Sequence, residues 1–128
     1  MKYLSDSLAA VLDIRVDYPE TFYRTFKLSA DDLIVASDNE SVTAEVGLGT
    51  VTDWTYYDAE FKIWISGQDK VLKEFTLDNG LMVAVSDELQ IDQDLGISEG
   101  FYRYHLMIST PLGRDIVVAK GNFIYTKE

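Results

Sequence analysis

Apolar and polar residues alternate with a period of two through most of this chain. In the longest such stretch, residues 54–66, one set of alternate positions holds Ala59, Phe61, Ile63 and Ile65. This period puts successive side chains on opposite faces of a strand, whereas a helix repeats apolar residues every three to four positions. Strand patterning covers residues 21–28, 32–36, 41–48, 54–66, 71–77, 81–85, 101–110 and 116–126. The pattern therefore predicts an all-β protein with about eight strands, arranged as a sandwich or a small barrel.

Turn residues predict two hairpins. Asn79-Gly80 lies between residues 71–77 and 81–85, and this dipeptide favours a type I′ turn, whose two central positions need positive φ. The last two strands are joined by residues 111–115, which supply Pro and Gly. Gly121, inside the final strand, is predicted to form a β-bulge.

The N-terminus is the one segment with helical spacing. Leu4, Leu8, Val11 and Leu12 recur at intervals that place them on one face of a helix over residues 5–13, with Ser5 or Asp6 as N-cap. So short a helix is not stable alone, so its apolar stripe must dock on this domain or on a neighbour. Residues 1–18 are therefore predicted to be an arm or a short amphipathic helix, and residues 19–128 the β domain.

Composition excludes several classes of function. The 128 residues include 22 acids, 11 bases and no Cys, for a net charge of −11. Thiol catalysis and Cys-based zinc sites are excluded, and this charge would repel nucleic acid and anionic membranes. No apolar run is long enough to span a membrane and no signal peptide is recognisable, which predicts a soluble protein made in a cytoplasm. A chain of this size can bury a core without a metal or cofactor, and none is predicted.

No residues assemble into a catalytic motif. His105 is the only imidazole, and the neighbouring sequence offers it neither a nucleophile nor an orienting carboxylate, so a structural or surface role is expected. The segment from Asp92 to Gly96 begins like a calcium loop, but Arg103 occupies the position of the bidentate Glu. A looser calcium site in the loops stays open. The protein is accordingly predicted not to be an enzyme.

Charge and aromatic residues suggest interaction surfaces. Residues 28–61 and 74–102 carry many acids and no base between their ends, so they either attract a basic partner or are simply solvated. Trp54, Tyr56, Tyr57 and Trp64 cluster around one strand, where aromatic residues serve either the core or an interface. Of these, Tyr57 and Trp64 are predicted to be the most exposed.

A family resemblance begins at residues 98–104. Gly100, Tyr102 and Tyr104 have the spacing of the tyrosine corner of immunoglobulin-like domains, in which the phenol hydrogen-bonds to upstream backbone. Tyr104 stands where antibody domains have their second Cys. With the order of strands across residues 21–126, the chain resembles small β-sandwich modules of bacteriophage virions, which occur in capsid auxiliary proteins and at the N-termini of upper baseplate and tail-fibre proteins. The resemblance implies an Ig-like antiparallel β-sandwich.

The same resemblance implies a non-enzymatic virion structural protein, assembled in the host cytoplasm and docked on capsid, baseplate or fibre proteins. Because the chain stops two residues after its last strand, a stand-alone capsid auxiliary module or a connector is expected rather than a fibre. Leu4, Leu8 and Leu12 would form the docking arm, Tyr57 and Trp64 would add to the interface, and homo-oligomerisation stays open. The alternative is a carbohydrate- or peptide-binding sandwich that uses Trp54, Tyr57 and Trp64 with a loop calcium ion.

Overall fold

The computed structural model describes residues 10–29, 32–36, 41–45, 54–65, 67–68, 70–77, 79–85 and 88–127. These residues form eleven strands and no helix. In chain order the strands are β1 (Ala10–Val11), β2 (Ile14–Asp17), β3 (Phe22–Ser29), β4 (Asp32–Ala36), β5 (Ser41–Glu45), β6 (Asp58–Ile65), β7 (Val71–Leu77), β8 (Gly80–Val85), β9 (Glu88–Gln93), β10 (Gly100–Ser109) and β11 (Asp115–Thr126). The all-β prediction is confirmed, and each of the eight predicted stretches contains a strand.

One hydrogen-bonded sheet contains all of these strands, in the order β1-β11-β10-β6-β7-β8-β9-β3-β4-β5. Strands β1 and β2 follow one another along the same edge of β11, and both pair with β11 in parallel. Strands β10 and β11 form the predicted antiparallel hairpin, and β10 also pairs antiparallel with β6. The N-terminal and C-terminal strands of the described chain are therefore neighbours.

Aromatic rings join the two halves of the sheet. Phe22 and Phe26 of β3 lie with their ring centroids 5.3 Å and 5.9 Å from that of Phe61 on β6. Phe123 of β11 lies 5.0 Å from Phe22. Strands β3 and β6 are not hydrogen-bonded neighbours, so these contacts cross the interior and the two halves of the sheet face each other. Since successive residues alternate along β6, Phe61 and its inward neighbours are buried while the residues between them face outward.

The helix predicted over residues 5–13 is not confirmed. Its described end, residues 10–13, consists of β1 and a short extended link, and residues 5–9 lie outside the described residues. The parallel pairing with β11 satisfies backbone groups that a helix would have satisfied internally, including the Leu12 N–H, which donates to the Lys120 carbonyl at 2.9 Å. Ile14 and Val16 of β2 are buried in the main core, so the described part of the predicted arm is integrated into the sheet.

Strands β7 and β8 do not form the predicted Asn79-Gly80 hairpin. The turn is closed instead by Thr76 and Asn79, whose backbone N–H groups each donate to the other's carbonyl, at 3.0 Å and 2.8 Å. Beyond the turn β8 makes only a two-residue parallel contact with β7 and pairs antiparallel with β9. The chain thus passes from one half of the sheet to the other here. Gly80 suits this corner because its φ is +103° and a side chain would collide with the Phe75 ring.

The bulge in β11 lies at Val118, not at the predicted Gly121. The register against β10 shifts between Leu106 and Met107, which leaves Val118 as the extra residue, whereas Gly121 pairs regularly with Tyr104. Gly121 is required for another reason, because a Cβ atom there would collide with the carbonyl oxygen of Leu12.

No helix among the described residues is long and apolar enough to cross a membrane.

Candidate interaction surface

Tyr102 ties the start of β10 to the loop before it. Its hydroxyl donates a 2.6 Å hydrogen bond to the carbonyl of Ser98, four residues upstream. Gly100 lies beneath the phenol, and a Cβ atom there would stand only 3.3 Å from the hydroxyl oxygen. Gly100 and Tyr102 are therefore adjacent, and the Tyr102 phenol hydrogen-bonds to backbone four residues upstream.

Tyr104 has a different structural role from Tyr102, because its side chain points into the core. The ring stacks on Phe61 with centroids 5.2 Å apart, and the hydroxyl donates a 2.6 Å hydrogen bond to the carbonyl of Leu12. Burial raises the pKa of the Tyr104 phenol far above its usual range, and the nearby carboxylate of Asp13 raises it further. A neutral, fully buried phenol thus anchors the N-terminal segment to the penultimate strand.

Three further contacts hold the link between β1 and β2 on β11. Because Gly121 has no side chain, the backbone of Leu12 can approach β11 closely. On one side of Gly121 the Leu12 N–H donates to the Lys120 carbonyl, and on the other the Asn122 N–H donates to Oδ1 of Asp13 at 3.2 Å. We refer to Leu12, Asp13, Tyr104, Gly121 and Asn122 as the junction. The sequence analysis identified Tyr104 and Gly121 but not their common partner.

The predicted interface residues lie in different surroundings. Leu4 and Leu8 lie outside the described residues. Leu12 is half-buried against the protein's own core, and so is Tyr57, whose ring meets that of Trp54 edge-on at 5.7 Å. Trp64 is half-buried on the outward side of β6. Of the five, Trp64 is the one that the structure places on an open sheet face.

Trp54 and Trp64 do not form one surface on which a sugar ring could stack. Trp54 precedes β6 and is buried, whereas Trp64 lies near the other end of that strand. At about 3.3 Å per residue, the length of β6 alone separates the two positions by roughly 20 Å. A sugar ring stacked on one of these side chains would not reach the other.

The outward side of β6 and β10 holds a charged cluster that the sequence did not predict. Nε2 of His105 lies 3.0 Å from Oε2 of Glu60, and the Lys62 ammonium lies 3.2 Å from the same oxygen. Glu74 on β7 lies 3.8 Å from Lys62, and the imidazole of His105 meets the Trp64 ring edge-on at 5.2 Å. Glu60 is therefore the orienting carboxylate that the local sequence around His105 lacks.

This cluster orients side chains on a sheet surface. One oxygen of Glu60 contacts both the Lys62 ammonium and Nε2 of His105, which orients the imidazole plane of His105 against Trp64. In the part of the chain that the structure describes, no three His, Asp or Glu residues are grouped to hold a metal ion. Asp94, from the segment that resembles a calcium loop, accepts a 3.1 Å hydrogen bond from the Thr21 hydroxyl.

No protein-family model matches the chain, and no curated protein matches it.

Proposed function

We propose that the protein is an Ig-like β-sandwich module that serves as a non-enzymatic structural component of a bacteriophage virion. The hydrogen bond from Tyr102 to Ser98 is the observation that carries the fold assignment. It supports an Ig-like arrangement because such domains place this bond at the start of the penultimate strand, and β10 is the penultimate strand here.

The functional assignment follows from the resemblance to virion modules, and a fold can host many functions. We propose a stand-alone accessory protein that docks on capsid proteins or connects fibres, assembled in the host cytoplasm. Leu12 packs into the domain itself, so the proposed docking arm is the chain upstream of the junction, with Leu4 and Leu8 as its apolar contacts.

Two deletions test this role and separate docking from folding. Removing residues 1–9 should leave the domain folded and abolish incorporation into particles. Removing residues 1–14 should also destabilise the domain, because it deletes Leu12, which accepts the Tyr104 bond, and the core residue Ile14. Normal incorporation of the shorter deletion would refute the docking arm.

A matched pair of substitutions sharpens the same test. Leu4→Ser with Leu8→Ser removes the apolar contacts and should reduce incorporation at least tenfold. Ser5→Ala with Ser7→Ala alters neighbouring positions of the same segment and should leave incorporation unchanged.

The carbohydrate- or peptide-binding alternative makes different predictions. A virion structural protein should show no binding on a glycan array and no calcium-dependent shift of its melting temperature in calorimetry. Specific glycan binding that is lost in Trp64→Ala would favour the alternative.

A further inference from the structure

Two strands of the sheet each have a segment that pairs with a neighbouring strand on one side only. In β3, residues 22–24 pair with β9, whereas β4 pairs with β3 only from Thr25 onwards. In β7, residues 71–75 lie along β6, whereas the short parallel contact with β8 involves Thr76 and Leu77. Among the described residues, no strand pairs with the other side of these two segments. We refer to residues 22–24 as the β3 edge and to residues 71–75 as the β7 edge.

Edges of this kind favour pairing with a strand of another molecule, because their backbone N–H and C=O groups have no partner strand. Exposed apolar side chains add to this tendency near the β7 edge. Val71 on β7 is 40% exposed, and on β8 Met82 is 56% exposed and Val83 is 44% exposed. Val83 pairs in register with the fully buried Leu89, so it lies on the core side of β8 and the core is incompletely covered there.

A cation occupies a core-facing position at the β3 edge. Arg24 pairs in register with the fully buried Ile91 of β9, and residues paired in register point to the same side of a sheet. The guanidinium donates hydrogen bonds to the carbonyl of Tyr23, at 2.8 Å, and to the carbonyl of Arg15 on β2. Its central carbon lies 5.8 Å from the ring centroid of Phe22. The guanidinium therefore bridges the β3 edge and β2, at the position that an added strand would occupy.

The β7 edge has a cation in an equivalent position. Lys73 pairs in register with the fully buried Ile63 of β6, so it lies on the core side of β7. Its ammonium lies 5.9 Å from the ring centroid of Phe75, two residues along the same side of the strand. The two local sequences agree as well, since residues 24–28 and 73–77 both read cation-x-Phe-x-Leu, where x is any residue. Both edges thus carry a cation where the alternation of the strand assigns a residue to the core.

We propose that Arg24 and Lys73 prevent a second copy of this chain from adding a strand to the β3 edge and the β7 edge. An added strand would place its own core-facing side chains beside the cation and remove the water that solvates it, and burying a charge in this way is costly. At the β3 edge the strand would also displace the guanidinium from the carbonyls of Tyr23 and Arg15. Natural proteins use inward-pointing charges on edge strands against edge-to-edge pairing.

Replacing each cation with Met tests this role, because Met keeps an unbranched side chain and removes the charged end. In sedimentation velocity over a concentration series, Arg24→Met and Lys73→Met should begin to associate at concentrations at least tenfold lower than wild type. Arg103→Met and Lys62→Met are the matched controls, since β10 and β6 have strand partners on both sides of these residues. Each of the four substitutions removes one positive charge from a chain of net charge −11, so increased repulsion between copies is common to all four. The controls should associate like wild type.

Hydrogen exchange locates the new contact. In associated Arg24→Met, amide protection should rise at the β3 edge, and in associated Lys73→Met it should rise at the β7 edge, with the other edge unchanged in each case. The conservative variants Arg24→Lys and Lys73→Arg keep the charge and should associate like wild type. If circular dichroism shows that Arg24→Met does not fold, Arg24→Gln takes its place, because the amide can still donate to a carbonyl and carries no charge; the same association is expected.

Three results would overturn the proposal: uncharged variants that associate no more than their controls, association without added protection at the substituted edge, or equal association of the charge-retaining variants. Association is measured on the purified chain, without particles, so its outcome does not depend on the proposed virion role.

Discussion

Replacing Tyr104 with Phe removes one oxygen atom from the junction and leaves the rest of the side chain in place. The ring keeps its stacking contact with Phe61, so little packing energy is lost. What disappears is the 2.6 Å hydrogen bond to the carbonyl of Leu12, in a location that water does not reach readily, since Tyr104 is 1% exposed. Leaving such an acceptor unpaired costs about 1–3 kcal/mol. We therefore expect Tyr104→Phe to lower the free energy of unfolding by about 2 kcal/mol.

Tyr102→Phe provides the internal control for this prediction. Its hydroxyl also makes a 2.6 Å hydrogen bond to a carbonyl, that of Ser98, but this bond lies at the exposed surface. Water can replace the lost donor there, so the expected cost is about 1 kcal/mol or less. The two hydrogen bonds have equal lengths, but the bond of Tyr104 should contribute more to the free energy of unfolding because it is the more buried of the two.

Urea denaturation monitored by circular dichroism measures both costs, and hydrogen exchange locates them. In Tyr104→Phe, amide protection should fall first at Leu12 and Ile14, because the bond holds the N-terminal segment on β11. If Tyr104→Phe is as stable as wild type, or if the two variants lose the same stability, the buried hydrogen bond of Tyr104 does not have the energetic value expected here.

Further predictions concern the same contacts. Burial raises the pKa of the Tyr104 phenol in the folded state above that of unfolded tyrosine, so the stability that the neutral phenol contributes is complete below about pH 10 and is lost as the pH rises above that value. The stability advantage of wild type over Tyr104→Phe should therefore shrink by about 1 kcal/mol by pH 11 in urea titrations. Gly121→Ala should destabilise the domain by about 1–3 kcal/mol, because the new methyl group displaces the Leu12 backbone, and thermal unfolding measures this loss. A double-mutant cycle with Glu60→Gln and His105→Gln should give a coupling of about 0.5 kcal/mol, as expected for a pair that water partly screens; zero coupling would mean that the contact is not maintained in solution.

The period-two pattern predicted the fold class because strand faces are encoded locally. It missed β1, β2 and β9 for different reasons. Strand β1 lies inside the helix predicted over residues 5–13 from the spacing of the leucines. In β2, Ile14 and Val16 alternate with charged residues, but this short segment was included in the predicted N-terminal arm. In β9, Leu89 and Ile91 alternate with acids and amides, which occur more often in loops than in strands.

Contacts between distant segments could not be predicted from the sequence. Glu60 and His105 meet because β6 and β10 pair with one particular register, and a single sequence does not specify which strands pair. The same holds for the bond between Tyr104 and Leu12, which are 92 positions apart. The Asn79-Gly80 turn shows the converse, since a strong local signal was overridden when β8 paired with β9.

Acids of both acid-rich stretches, residues 28–61 and 74–102, lie beside a base in the structure. Much of the first lies outside the described residues. From the ends of these stretches, Glu60 and Glu74 lie on the outward side of β6 and β7, where both contact Lys62. These two acids therefore balance local bases and do not add to a field that would attract a basic partner.

Quantitative mass spectrometry of purified particles tests the proposed virion role most directly. If the proposal is right, a phage genome carries this sequence, and particles of that phage are the sample, with the capsid protein as internal standard. If the protein is a virion component, the chain should be present at a fixed ratio to the capsid protein, and this ratio should persist after repeated density-gradient purification. Absence of the chain from particles in which the capsid protein is fully covered would contradict it.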